Sequence, residues 1–147
     1  YNDKWMEENG FLGESMSMGT LKDLLSSRGS RTLITVPASS HVTEVVGLLK
    51  LHGVSQLPVM DGDQLLGIIS EKQILERALQ GERANATVGT LAQPNYCTVN
   101  AQTDISVLTD LFRRFKVAIV LDDGQPTDII TRIDLIDHIS QRAGTKS

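Results

Sequence analysis

Two stretches decide how this chain reads: Gly67-Ile68-Ile69-Ser70-Glu71-Lys72-Gln73 and, at a shift of 61, Asp128-Ile129-Ile130-Thr131-Arg132-Ile133-Asp134. Each is a short apolar run that ends on a hydroxyl residue and passes into residues at helical spacing. That pattern marks a strand entering a helix N-terminus. Two junctions of one form imply two copies of the unit around them.

The copies extend upstream. A shift of 63 pairs Val36 with Val99, Ala38 with Ala101, Val42 with Ile105, Val45 with Leu108, Leu48 with Leu111 and Leu49 with Phe112. Past the helix the shift becomes 61 and pairs Val59 with Val120, Asp61 with Asp122, Ile69 with Ile130 and Leu75 with Ile136. In the first copy Val42, Val45, Val46, Leu48 and Leu49 predict a helix near 41–52, with Ser39 and Ser40 as candidate caps and Gly53 as its stop. Leu57 to Met60 and Leu65 to Ile69 read as a hairpin around Asp61-Gly62-Asp63. Ser70 caps a second helix whose apolar face is Ile74, Leu75, Ala78 and Leu79, ending at Gly81.

The second copy repeats the plan. Thr103 or Asp104 is its cap, Ile105, Leu108, Leu111 and Phe112 its stripe, Val117 to Leu121 its buried strand, and a helix from about Arg132 to Gln141 its close. Gln80 to Thr87 reads as the start of the linker, and Val88 to Leu91 as a short helical turn. The fold class is α/β, with two β-α-β-β-α repeats expected to pack as a pseudo-twofold pair and to leave clefts at their seam.

Composition bounds the function. The chain has 147 residues, 40% of them hydrophobic, and a formal net charge of -4. That suits one domain or two half-domains sharing a core, and it offers no basic excess for a nucleic-acid backbone. No apolar run reaches the roughly 20 residues that span a bilayer, and no basic-then-apolar leader opens the chain, so a soluble, cytoplasmic protein without membrane partners is expected. The single cysteine, Cys97, excludes an internal disulfide and reads as a buried structural thiol. His41, His52 and His138 share no ligand spacing, so no metal is expected, and they read as surface or helix-end residues. No strand lysine stands with a phosphate-cradling glycine loop, so no cofactor is expected in this chain.

With these motifs in place, residues 20–142 resemble the tandem CBS-motif module, whose mark is Gly-hydrophobic-hydrophobic-Ser/Thr-x-x-Asp. Each copy departs once: Gln73 stands for the aspartate in the first, and Asp128 for the glycine in the second. The leading segment, with Trp5-Met6 and Gly10-Phe11-Leu12, resembles the tail that follows the catalytic domain of cystathionine β-synthase. The resemblance implies a linker tail over 1–19, a first CBS motif over 20–82 and a second over 83–147. It further implies a regulatory fragment that is not itself an enzyme and acts on its own catalytic domain, with pyridoxal phosphate confined to that missing domain, and a homodimer formed through helices such as those of Leu79 and Ile139.

A strand ending on a hydroxyl residue at a helix start suits oxygen-rich groups, and Asp134, one turn after Thr131, can accept the hydrogen bonds of a ribose diol. Asp134 also suits the helix dipole in a purely structural way. The resemblance implies an adenosyl site built from Thr131, Asp134, Ile133 and Arg132 with Ile34, Gln56, Leu57 and Pro58 of the other copy; Val54 would add to its walls. A weaker second site would use Ser70 and Gln73 with Val117 and Ala118, because a neutral amide gives no charge-assisted bonds to a diol. One good site and one poor or empty one are expected.

S-adenosylmethionine is the ligand that the synthase resemblance favours, with AMP, ADP or ATP as the nucleotide alternatives. Arg132 and Lys72 would favour phosphate, whereas Asp128 would repel an anionic ligand. A ligand-free dimerisation or autoinhibitory module is the competing reading.

Overall fold

The first helix of the described chain is α1 (Leu21–Arg28), an element that the stripe analysis does not contain. A computed structural model describes residues 18–29, 31–81 and 85–146, with side chains only as far as Arg142. The Trp5-Met6 and Phe11-Leu12 segment therefore lies outside the described residues. By its contacts the chain forms two units, one of residues 33–96 and one that joins the residues up to Thr32 with those from Cys97 onward.

In the unit of residues 33–96, β1 (Val36–Pro37) leads to α2 (Val42–His52), the hairpin β2 (Gln56–Asp61) and β3 (Gln64–Ser70), then α3 (Glu71–Leu79) and a 3-10 turn at Val88–Thr90. The sheet order is β1-β2-β3. β1 runs parallel to β2 with Val36 opposite Val59, and β2 runs antiparallel to β3 with Gln56 opposite Ser70. The predicted stripe of α2 enters the core through Val42, Val45 and Leu49, which meet Val36, Leu57, Val59, Ile69, Val88 and Leu91.

One expectation changes here. The cap of α2 is His41 rather than Ser39 or Ser40, because the Glu44 carboxylate reaches back 2.8 Å to accept the His41 amide. The apolar face of α3 is only partly engaged: Ile74 packs against the core of its unit, whereas Leu75 and Leu79 are exposed. Spacing shows that a face is apolar but not what covers it.

The other unit repeats the sheet with β4 (Tyr96–Val99), α4 (Ile105–Leu111), β5 (Val117–Asp122), β6 (Gln125–Thr131) and α5 (Arg132–Lys146), in the order β4-β5-β6. Even the irregularity recurs: the register shifts at Val59/Met60 in one hairpin and at Val120/Leu121 in the other. Leu21 and Leu24 of α1 are fully buried among Ile105, Leu108, Ala118, Val120, Ile130 and Leu135. The start of α1 is fixed by backbone bonds, with Leu21 and Lys22 donating to the carbonyls of Thr103 and Ala101 at 2.7 and 2.9 Å. These bonds satisfy two of the amides that a helix start leaves without a partner. Among the described residues no helix is long and apolar enough to cross a membrane.

Candidate functional site

Thr131 ends β6 and Asp134 lies in the first turn of α5. One Asp134 carboxylate oxygen, Oδ2, accepts the Thr131 amide at 2.9 Å and the Thr131 hydroxyl at 3.1 Å. The dipole and capping role expected of an aspartate here is therefore real, and it occupies this oxygen. The same oxygen lies 3.6 Å from Nη1 of Arg28 on α1. Among the described residues the other oxygen, Oδ1, meets only the Arg31 guanidinium, whose Nη2 is 3.3 Å away. Arg31 is 49% exposed against 14% for Arg28, so the ion pair on Oδ1 is the loosely held one.

Asp128 does not stand as a bare negative charge. It forms an ion pair with Arg28, and its Oδ1 accepts the Ile129 amide at 2.8 Å. Arg28 Nη1 also donates to the Ile129 carbonyl at 3.4 Å. The expected repulsion of an anionic ligand by Asp128 is corrected accordingly, since the charge is matched by a cation with little exposure to solvent. Arg132 is partly engaged as well, its Nε donating at 2.9 Å to the carbonyl of Phe112, the C-cap of α4. Ile133 is exposed.

The first junction has the same local design with different chemistry. The Ser70 hydroxyl accepts the Gln73 amide at 3.2 Å, and Gln73 Oε1 accepts the Ser70 amide at 2.8 Å, a reciprocal cap. Gln73 Nε2 donates to the Leu91 carbonyl at 3.4 Å. The glycine of this copy has a steric reason: a Cβ on Gly67 would lie 2.8 Å from the Gln93 carbonyl oxygen. That close approach exists because Gln93 bridges to Ile68, donating to its carbonyl and accepting its amide.

The remaining expected residues are placed as follows. In the unit of residues 33–96, Leu57 is buried in the core, Pro58 is buried, and Ile34 and Gln56 are partly buried. In the other unit Val117 and Ala118 are both buried in β5. Val54 is exposed at the margin of its unit.

Cys97 is half-buried, its sulfur 3.8 Å from the Val117 carbonyl, and burial pushes its thiol up, away from the reactive thiolate. His138 corrects the surface assignment: it is 6% exposed, with Nδ1 3.3 Å from the Ser27 hydroxyl and Nε2 without a partner among the described residues. Arg28 is the site residue that sequence reasoning missed. The signal was Asp128 itself, since a carboxylate placed where the repeat has glycine asks for a cation.

Comparison with known proteins adds the family. The CBS domain family model matches residues 21–80 and again 88–141. The A-adding tRNA nucleotidyltransferase of Geobacter sulfurreducens is 30% identical over 82% of this chain. Cystathionine beta-synthase of Dictyostelium discoideum is a homologue, 24% identical over 94% of the chain. The chain spans 13% and 30% of the lengths of these two relatives.

Among solved structures, a CBS-domain-containing protein from Agrobacterium tumefaciens superposes with a TM-score of 0.73 at 24% identity, covering 88% of this chain and 99% of that one. CBSX2 in complex with AMP gives 0.66 at 24% identity, covering 85% and 98%. The CBS domain of a bacterial CNNM/CorC family Mg2+ transporter in complex with ATP gives 0.69 at 22% identity, covering 84% and 89%.

Proposed function

Because the chain belongs to the CBS-domain family and carries two CBS motifs in tandem, we propose that it is a regulatory module that senses an adenosine-containing ligand and does no chemistry itself. The observation that carries the reading is the Asp134 carboxylate: one oxygen fixed by Thr131, the other covered only by a half-exposed arginine. A ribose hydroxyl donating to Oδ1 replaces that arginine, and the Thr131 bonds hold the carboxylate in place for it. Neighbours of the same fold solved in complex with AMP and with ATP support an adenosine nucleotide as the class of ligand. Binding that favours one arrangement of the module over another would bias an attached domain by the difference in affinity.

The test is a thermal-shift titration of this chain with AMP, ADP, ATP and S-adenosylmethionine. A sensor is stabilised by about 2.7 kcal/mol at a ligand concentration of 100 Kd. No shift with any of the four at millimolar concentration would overturn the reading and leave the structural dimerisation module in its place.

A second reading concerns the parent protein. Similarity to cystathionine beta-synthase along 94% of the chain supports a pyridoxal-phosphate synthase as the regulated domain. The exposed Leu75 and Leu79 on α3, and Ile136 on α5, support a homodimer, which sedimentation of the chain would detect.

A further inference from the structure

We infer that Arg31 determines which adenosyl ligand this module accepts, favouring a 5′-phosphorylated adenosine over an adenosyl sulfonium. The inference rests on the adenosyl reading of the Asp134 site and deepens it. Its basis is the distribution of partners around a single carboxylate.

Asp134 Oδ2 already receives two donors from Thr131 and lies beside Arg28, so the diol can take up only Oδ1. Arg28 cannot leave in its place. It is 14% exposed, paired with Asp128, and it donates to the Ile129 carbonyl. Arg31 is the group displaced: a single 3.3 Å contact and 49% exposure make that pair cheap to break.

Displacement leaves a guanidinium next to the ribose without its counter-ion. Among the described residues at this junction, the carboxylates of Asp128 and Asp134 balance two of the three cations Arg28, Arg31 and Arg132. A phosphate on the 5′ carbon, within reach of an arginine side chain, gives the freed Arg31 a partner of matching fork geometry. A sulfonium in that place puts a second cation beside it instead, and the like charges repel. Adenosine alone gains neither effect.

The measurement is isothermal titration of the intact chain and of its Arg31→Gln and Arg31→Lys variants with adenosine, AMP and S-adenosylmethionine. In the unaltered chain AMP binds about tenfold more tightly than adenosine, and S-adenosylmethionine more weakly than adenosine. Arg31→Gln lowers the affinity for AMP while raising that for adenosine by about two- to threefold, because the competing ion pair is gone. Arg31→Lys restores part of the preference for AMP. Equal binding of AMP and adenosine by the unaltered chain, or a ratio that Arg31→Gln leaves unchanged, would overturn the assignment while the adenosyl reading stands. If none of the three ligands binds any form, the adenosyl reading falls and this assignment with it.

Discussion

Ile68 and Ile129 hold the same place in the two sheets, yet their edge peptide groups are satisfied by different means. Ile68 exchanges two backbone hydrogen bonds with Gln93, at 2.9 and 3.0 Å. At Ile129 side chains do this work: Asp128 accepts the amide and Arg28 donates to the carbonyl. An edge strand needs its exposed N–H and C=O groups covered, and here a backbone segment and an ion pair are equivalent solutions. This explains why the family glycine persists at 67, where the backbone of Gln93 comes close, and why an aspartate is tolerated at 128.

The first prediction follows from that equivalence. Asp128→Gly, which restores the family residue, destabilises the chain by about 1–3 kcal/mol, since the Ile129 amide and Arg28 each lose a partner. Gly67→Ala destabilises by a similar 1–3 kcal/mol through the clash with Gln93. Urea denaturation with an unchanged slope measures both.

At Asp134, folding and recognition can be separated. Asp134→Asn keeps an oxygen to accept the Thr131 amide and so costs less stability than Asp134→Ala, which loses a cap worth about 1 kcal/mol and removes one partner of Arg28. Both variants weaken adenosyl binding by at least about tenfold, because charge-assisted bonds to the diol are lost. Calorimetry beside thermal denaturation distinguishes the two effects.

The expected stoichiometry of binding is one per chain, because Gln73 caps α3 as Asp134 caps α5 but carries no charge. Gln73→Asp keeps a capping acceptor and adds the carboxylate, so the measured stoichiometry rises toward two. Two equal sites in the unaltered chain would contradict this.

His138 gives the stability an acid limb. Burial, reinforced by the charge of Arg142 and opposed by Asp23 and Asp137, holds its imidazole below the ordinary value near 6.5. As pH falls through 6.5 the unfolded chain takes up a proton that the folded chain resists. The contribution is therefore fully present above that pH and declines below it. His138→Phe flattens this part of the stability profile, measured by denaturation between pH 5 and 8.

Much of this architecture was legible because each repeat writes its period in apolar residues. The α2 and α4 stripes, both hairpins and both strand-to-helix junctions follow from it directly. α1 was not legible: its eight residues hold three leucines, and it is fixed by the carbonyls of Ala101 and Thr103, far along the chain. What α1 covers was hidden with it, which is why His138 looked like a surface residue and why Arg28 was not paired with Asp128. The exposed leucines of α3 show the opposite case, a readable stripe of which Ile74 meets the core while Leu75 and Leu79 stay exposed.

The division of the chain also sets a timetable for synthesis. Residues 33–96 form one continuous stretch and can close their core as soon as Tyr96 is available. Leu21 and Leu24, translated earlier, find their partners only when Ile105, Leu108, Val120 and Ile130 have followed. During that interval the nascent chain presents these two leucines to solvent or to a chaperone, so this is the stage at which slow translation or a truncated transcript would do most harm.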